Sequence, residues 1–163
     1  MSWSPLLRAL VVLCLFPSAS VAGEDPVNVL GSGTAIQGYD PVAYFVDGEP
    51  RKGQPELSVT YSGARWLFSS KANMRLFLEN PDRYFPAYGG YCAYDVAQGH
   101  LSGVDPQAWT ILYDRLYLNC PEPVHDLWLS DAPSYIKQAN ENWLRVAGHL
   151  ATQQPSRRTK HTE

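Results

Sequence analysis

The chain has 163 residues, 45% of them hydrophobic and 18% charged, with a formal net charge of −3. That length suits one domain, and that composition suits a packed core and excludes a disordered chain. The acidic balance leaves no basic face for a nucleic acid, so no nucleic-acid partner is expected.

Residues 1–22 read as a secretory signal peptide. Arg8 is a thin positive start, and residues 9–16 form a short apolar run ended by Pro17. That run falls far short of the ~20 apolar residues of a membrane-crossing helix, so no transmembrane anchor is expected. Ser20-Val21-Ala22 places small residues for cleavage before Gly23. Cleavage removes the one charge at Arg8, leaving 12 basic against 16 acidic residues, a formal −4. The expected location is outside the cytoplasm: periplasmic if the source is bacterial, otherwise secreted. Cys14 departs with the leader, and Cys92 and Cys120 remain where disulfides persist. Two cysteines without a C-x-x-C cannot by themselves fill a structural zinc site.

In chain order, Asp40-Pro41 marks a helix start, with Asp as cap and Pro at the first helical position. Asp47-Gly48 is a turn. Leu57-Ser58-Val59-Thr60-Tyr61 alternates with the period of a half-buried strand. Ser62-Gly63 turns it, and Ala64-Arg65-Trp66-Leu67-Phe68 returns. Ser69 or Ser70 caps a helix whose apolar face is Met74, Phe77 and Leu78, and Pro81 ends it. Residues 82–85 make a further turn. After an irregular Gly- and Tyr-rich loop, residues 108–112 and 116–118 form a second hairpin around Tyr113-Asp114-Arg115. Val124, Leu127 and Trp128 suggest a short helix. Pro133 opens another, with Tyr135, Ile136, Ala139, Trp143 and Val146 at helical spacing. No internal repeat is read. The fold class is α+β: small antiparallel β-hairpins packed with short helices in a single domain spanning 23–150. Residues 151–163 are read as a polar, disordered tail. Trp66, Phe68, Phe77, Trp109 and Leu118 are the expected core.

The densest chemistry lies in Tyr88-Gly89-Gly90-Tyr91-Cys92-Ala93-Tyr94. A turn this aromatic must be packed or bind something. With Gly38-Tyr39-Asp40-Pro41-Val42-Ala43-Tyr44-Phe45, Phe68-Ser69-Ser70, Asn80-Pro81-Asp82-Arg83-Tyr84 and Asp105-Pro106, it resembles the YHS domain family over roughly residues 28–143. The resemblance implies a metal- or redox-associated module and does not fix an activity. Copper is the metal it favours, and the softness of a cysteine ligand agrees.

Three readings of Cys92 stand side by side. It is a soft ligand or redox-active thiol exposed by Gly89-Gly90, with His100 as second ligand. It is a buried, inert cysteine. Or it is bridged to Cys120, which the family pattern does not require. Tyr44, Tyr88, Tyr91 and Tyr94 are candidates to line a ligand pocket, and suit an aromatic core equally well. Asp40, Asp95 and Asp105 are carboxylates available as general bases, although a cap or turn explains the two that precede proline. No Ser-His-Asp set and no phosphate loop is present, and Cys92–His100 is the one nucleophilic pairing on offer. The function expected is therefore a non-enzymatic metal- or redox-linked binding module. The alternatives are a protein-interaction module without metal, and a thiol enzyme using Cys92.

Overall fold

Alternating strands and two-residue turns dictate the framework. The computed structural model describes residues 26–29 and 32–153. The leader expected at 1–22 lies outside them, as does nearly all of the expected tail. The elements are α1 (Ala43–Val46), β1 (Gln54–Tyr61), β2 (Ala64–Phe68), α2 (Lys71–Glu79), α3 (Pro81–Tyr84), α4 (Ala93–Ala97), β3 (Asp105–Leu112), β4 (Arg115–Asn119), α5 (Val124–Ser130) and α6 (Ala132–Gln153). Tight 3-10 turns at Ala35–Gly38 and Ala87–Gly90 precede α1 and α4. β1 pairs antiparallel with β2, and β3 with β4, as two separate two-stranded sheets. The class is α+β. α6 runs past residue 150, so its helical pattern continues into what the sequence reads as tail.

The two halves of the domain follow one plan, which corrects the reading that the sequence holds no repeat. Each half runs 3-10 turn, short helix, hairpin, helix, helix. In the first hairpin Gln54 faces Phe68, the register then slips, and Ser58 to Tyr61 face Leu67 to Ala64. In the second, Asp105 faces Asn119, the register slips at the same place, and Trp109 to Leu112 face Leu118 to Arg115. Both hairpins close with two left-handed residues, Ser62-Gly63 and Tyr113-Asp114, the conformation that matches strand twist. Both 3-10 turns carry the same left-handed run, at Ile36-Gln37-Gly38 and at Tyr88-Gly89-Gly90. Tyr39-Asp40 in the first half thus stands where Tyr91-Cys92 stands in the second, and Ser69 where Cys120 stands.

Asp40 shows what that position does. Its side chain is fully buried. Oδ1 accepts from the Val42 and Ala43 backbone N–H groups at 2.8 and 3.3 Å, the capping role read from Asp40-Pro41. Oδ2 accepts from the Ser69 N–H at 2.8 Å, the Ser69 hydroxyl at 2.7 Å and Asn73 Nδ2 at 2.8 Å. One carboxyl therefore ties the start of α1, the end of β2 and the first turn of α2. α2 is capped by Ser70, whose hydroxyl accepts from the Asn73 N–H.

Trp66, Phe68, Phe77 and Leu118 are fully buried, as expected of the core, whereas Trp109 is half-buried against Tyr44. Phe77 lies within 5.2–5.7 Å, centroid to centroid, of Phe68, Tyr61 and Trp66. Leu78 departs from expectation. It is 56% exposed, because α2 turns Asn73 inward to reach Asp40 and rotates Leu78 toward solvent. A second cluster packs α4 and α6 around Trp128, with Ala139, Val146, Tyr88, Tyr91 and Tyr117.

Phe77→Ala is expected to cost roughly 3–5 kcal/mol in chemical denaturation, and Leu78→Ala to stay within about 0.5 kcal/mol. Equal effects at the two positions would refute this account of the helix face. Asp40→Ala strands buried donors from three elements and is expected to cost roughly 3–5 kcal/mol. A loss below about 1 kcal/mol would mean that water satisfies those donors without strain.

Candidate functional site

Gly89 and Gly90 serve an approach of backbone to backbone. Gly89 has φ +59°, and a Cβ there would overlap the Pro26 carbonyl oxygen. Gly90 has φ +80°, and its Cβ would strike Ile36 Cγ2. Residues 26–29 lie across this turn: the Asn28 N–H donates to Gly89 O, and Asn28 Nδ2 to Gly90 O, both at 2.9 Å. The sequence leads one to expect that the glycines expose the Cys92 sulfur. Instead they admit this strap, and Cys92 is fully buried at the edge of the core.

Cys92 is bridged to Cys120, with Cα atoms 5.3 Å apart. The Cys120 N–H donates to Cys92 Sγ at 2.9 Å. This repeats, in sulfur, the bond from the Ser69 N–H to Asp40 Oδ2 in the first half. Asp95, on the first turn of α4, places Oδ2 3.2 Å from Cys120 Sγ. The Ser102 hydroxyl donates to that same oxygen at 2.5 Å and sits 3.5 Å from the Cys120 sulfur. The sulfurs of Cys92 and Cys120 and a carboxylate oxygen of Asp95 all lie within 4.8 Å of one another. Cys92 is closed off, while Cys120 and Asp95 are half-buried and reachable from solvent.

His100 is not part of this cluster. It is exposed just beyond α4, and its backbone N–H bonds to Asp95 O at 2.8 Å. His125 lies apart, between Thr110 Oγ1 and Glu122 Oε1. The third ligand-type side chain is Asp95, which the sequence reading held only as a general base. The missed signal is spacing: Cys92 and Asp95 are three residues apart, one face of a helical turn. Taken as a loop, the region shows no such face. Next to the bridge, buried Asn119 accepts from the Tyr94 N–H through Oδ1, and its Nδ2 has no acceptor among the described residues.

The four candidate pocket tyrosines do not converge. Tyr44 is buried in the first cluster and donates to Pro106 O at 3.1 Å. Burial, then the nearby Tyr39, Asp105 and Asp40, push its phenol far above the usual range. Tyr91 points to Val27 O at 3.5 Å, and burial raises its phenol too. Tyr94 packs on Tyr135, with centroids 5.2 Å apart. Tyr88 donates to Asn140 Oδ1 at 2.9 Å. Of the four, Tyr88 lines a cleft of about 360 Å³, walled by Phe85, Ala87, Gly89, Arg115, Tyr117, Asn140 and Trp143.

No helix among the described residues is long and apolar enough to cross a membrane. No curated protein and no solved structure matches the chain. The model of the YHS domain matches residues 42–88, the first half from the start of α1 into the turn at Tyr88; Cys92, Asp95 and Cys120 all lie beyond it. Over that segment the chain is similar to the YHS domain.

Proposed function

We propose that this chain is a metal- and redox-linked binding module, without catalytic activity of its own, that works outside the cytoplasm. The observation that supports the reading is the convergence of two sulfurs and a carboxylate within 4.8 Å at one half-buried point. The bridged pair offers no thiolate. Two electrons and two protons from a dithiol reductant convert it to two thiols, and the reductant leaves as a disulfide. Loss of those protons gives two soft donors suited to Cu(I), with the Asp95 carboxylate adding negative charge beside them. Copper is therefore the favoured metal, and reduction is the gate to the site. Export rests on the leader pattern at residues 1–22 and on the persistence of a bridge in an oxidising compartment. The interaction-module alternative gains nothing from the aromatic turn, because Tyr88 and Tyr91 are buried and offer no docking patch. A thiol enzyme would need a free, reachable Cys92, whereas Cys92 is bridged and fully buried.

The test titrates Cu(I) anaerobically, against a competing chelator, into the metal-free chain in its oxidised and its reduced form. One Cu(I) per chain is expected after reduction and none before. Cys120→Ser should abolish tight uptake, and Asp95→Asn should weaken it by about tenfold, the scale of one lost charge contact. Near-ultraviolet circular dichroism checks that each variant keeps its packing. Uptake by the reduced chain that survives Cys120→Ser unchanged, or no uptake at all, overturns the assignment.

A further inference from the structure

Arg115 begins β4, and it is exposed. Among the described residues it has no carboxylate partner, in contrast to Arg51 and Arg83, which pair with Asp47 and Asp114. The hairpin does not require a cation there. In the first half the equivalent position is Ala64, which is buried, and the same two-residue turn and register form around it. The charge at Arg115 is therefore an addition particular to the second half, and it stands at the wall of the cleft beside Tyr88.

The rest of the cleft is largely aromatic. Tyr88 and Trp143 have centroids 5.7 Å apart with planes at 58°, and Tyr88 and Tyr117 are 6.0 Å apart. Tyr88 is fixed by its bond to Asn140, itself part of the cleft wall. The Tyr117 hydroxyl makes no hydrogen bond to any described residue, which leaves a donor at the cleft wall. Burial raises both phenols, and Arg115 is close enough to oppose that rise at each. Both hydroxyls thus remain protonated at neutral pH, next to the guanidinium. The left-handed backbone at Tyr88 is not particular to the cleft, because Ile36 adopts it at the equivalent place in the first half.

We propose that this cleft binds a small aromatic carboxylate, its ring against Trp143 and Tyr88 and its carboxylate on the Arg115 guanidinium and the Tyr117 hydroxyl. A planar carboxylate matches the planar fork of arginine, and the ring fills a cavity at the small end of ligand sites. This site is separate from the Cys92–Cys120 pair and takes a different class of ligand.

Benzoate is the probe, added to the oxidised, metal-free full-length chain, so that the outcome is independent of metal uptake. Tryptophan fluorescence and backbone amide shifts follow binding. Saturable binding is expected, with shifts centred on Tyr88, Arg115 and Trp143. Benzamide, the neutral isostere, and the Arg115→Gln variant should each bind about tenfold more weakly or worse, the loss of a charge-assisted contact. Arg115→Lys keeps the charge but not the fork, and should fall between wild type and Arg115→Gln. Arg115 is exposed, so these variants are expected to fold, and circular dichroism checks it. No saturation by about 10 mM, equal affinity for benzamide, or shifts centred elsewhere would overturn the proposal.

Discussion

The Asp40 carboxyl is the constraint on which the first half depends. A buried acid is costly unless every lone pair is used, and here five donors from three elements use them. That requirement sets several features otherwise hard to explain. It brings the end of β2 back to the start of α1. It selects a serine at 69 and an asparagine at 73, on a helix face where apolar residues would otherwise be expected. It also rotates α2 so that Phe77 enters the aromatic cluster and Leu78 leaves it. The polar network specifies the geometry, and the aromatic burial around Phe77 supplies the stabilisation.

The second half answers the same topological demand with different chemistry. The link from short helix to strand end is now covalent, Cys92 to Cys120, and the backbone N–H that served Asp40 points at sulfur instead. A bridge closing a loop of this length contributes about 3–4 kcal/mol in the loop-entropy picture. The asparagine partner of the first half has no counterpart in this link. In its place Asp95 and Ser102 approach Cys120 from the side. A carboxyl clamp is chemically inert once its donors are in place. A sulfur pair is not, and under the proposed reading the substitution gives a structural position redox and soft-metal chemistry.

The hairpins and the long helix were legible because their signals are local. Ser62-Gly63 and the alternation around it marked the first hairpin, and the period from Tyr135 to Val146 marked α6. Asp40 was legible as a cap for the same reason. The repeat was hidden because its buried positions changed type: Asp40 against Cys92, Ser69 against Cys120, Phe68 against Asn119, Phe77 against Trp128. What persists is backbone, the left-handed turns and the slip in strand register, and a sequence displays these poorly. Leu78 was misplaced because an asparagine at 73 reads as a solvent residue until the acid it serves is known. The site was half legible. Cys92 and Cys120 stood out, but Asp95 depended on α4, a five-residue helix with too little periodicity to announce itself.

The family match ends at Tyr88, in the turn that opens the second half; the sulfur pair lies beyond it, and the cleft beside Arg115 straddles its end, with Phe85, Ala87 and Tyr88 inside the match. Under the proposed redox reading, opening the bridge removes a staple from the second half alone. Asp40 and its donors are untouched by reduction, and α6 still closes the second cluster over Trp128 with Ala139 and Val146. The strap at residues 26–29 holds the turn before Cys92 through backbone bonds that contain no sulfur. A reduced site therefore sits in a framework held from three other directions. Two sulfurs confined by that framework are kept close whether or not they are joined, which is what a ligand pair must be if the metal is not to organise it from a disordered loop.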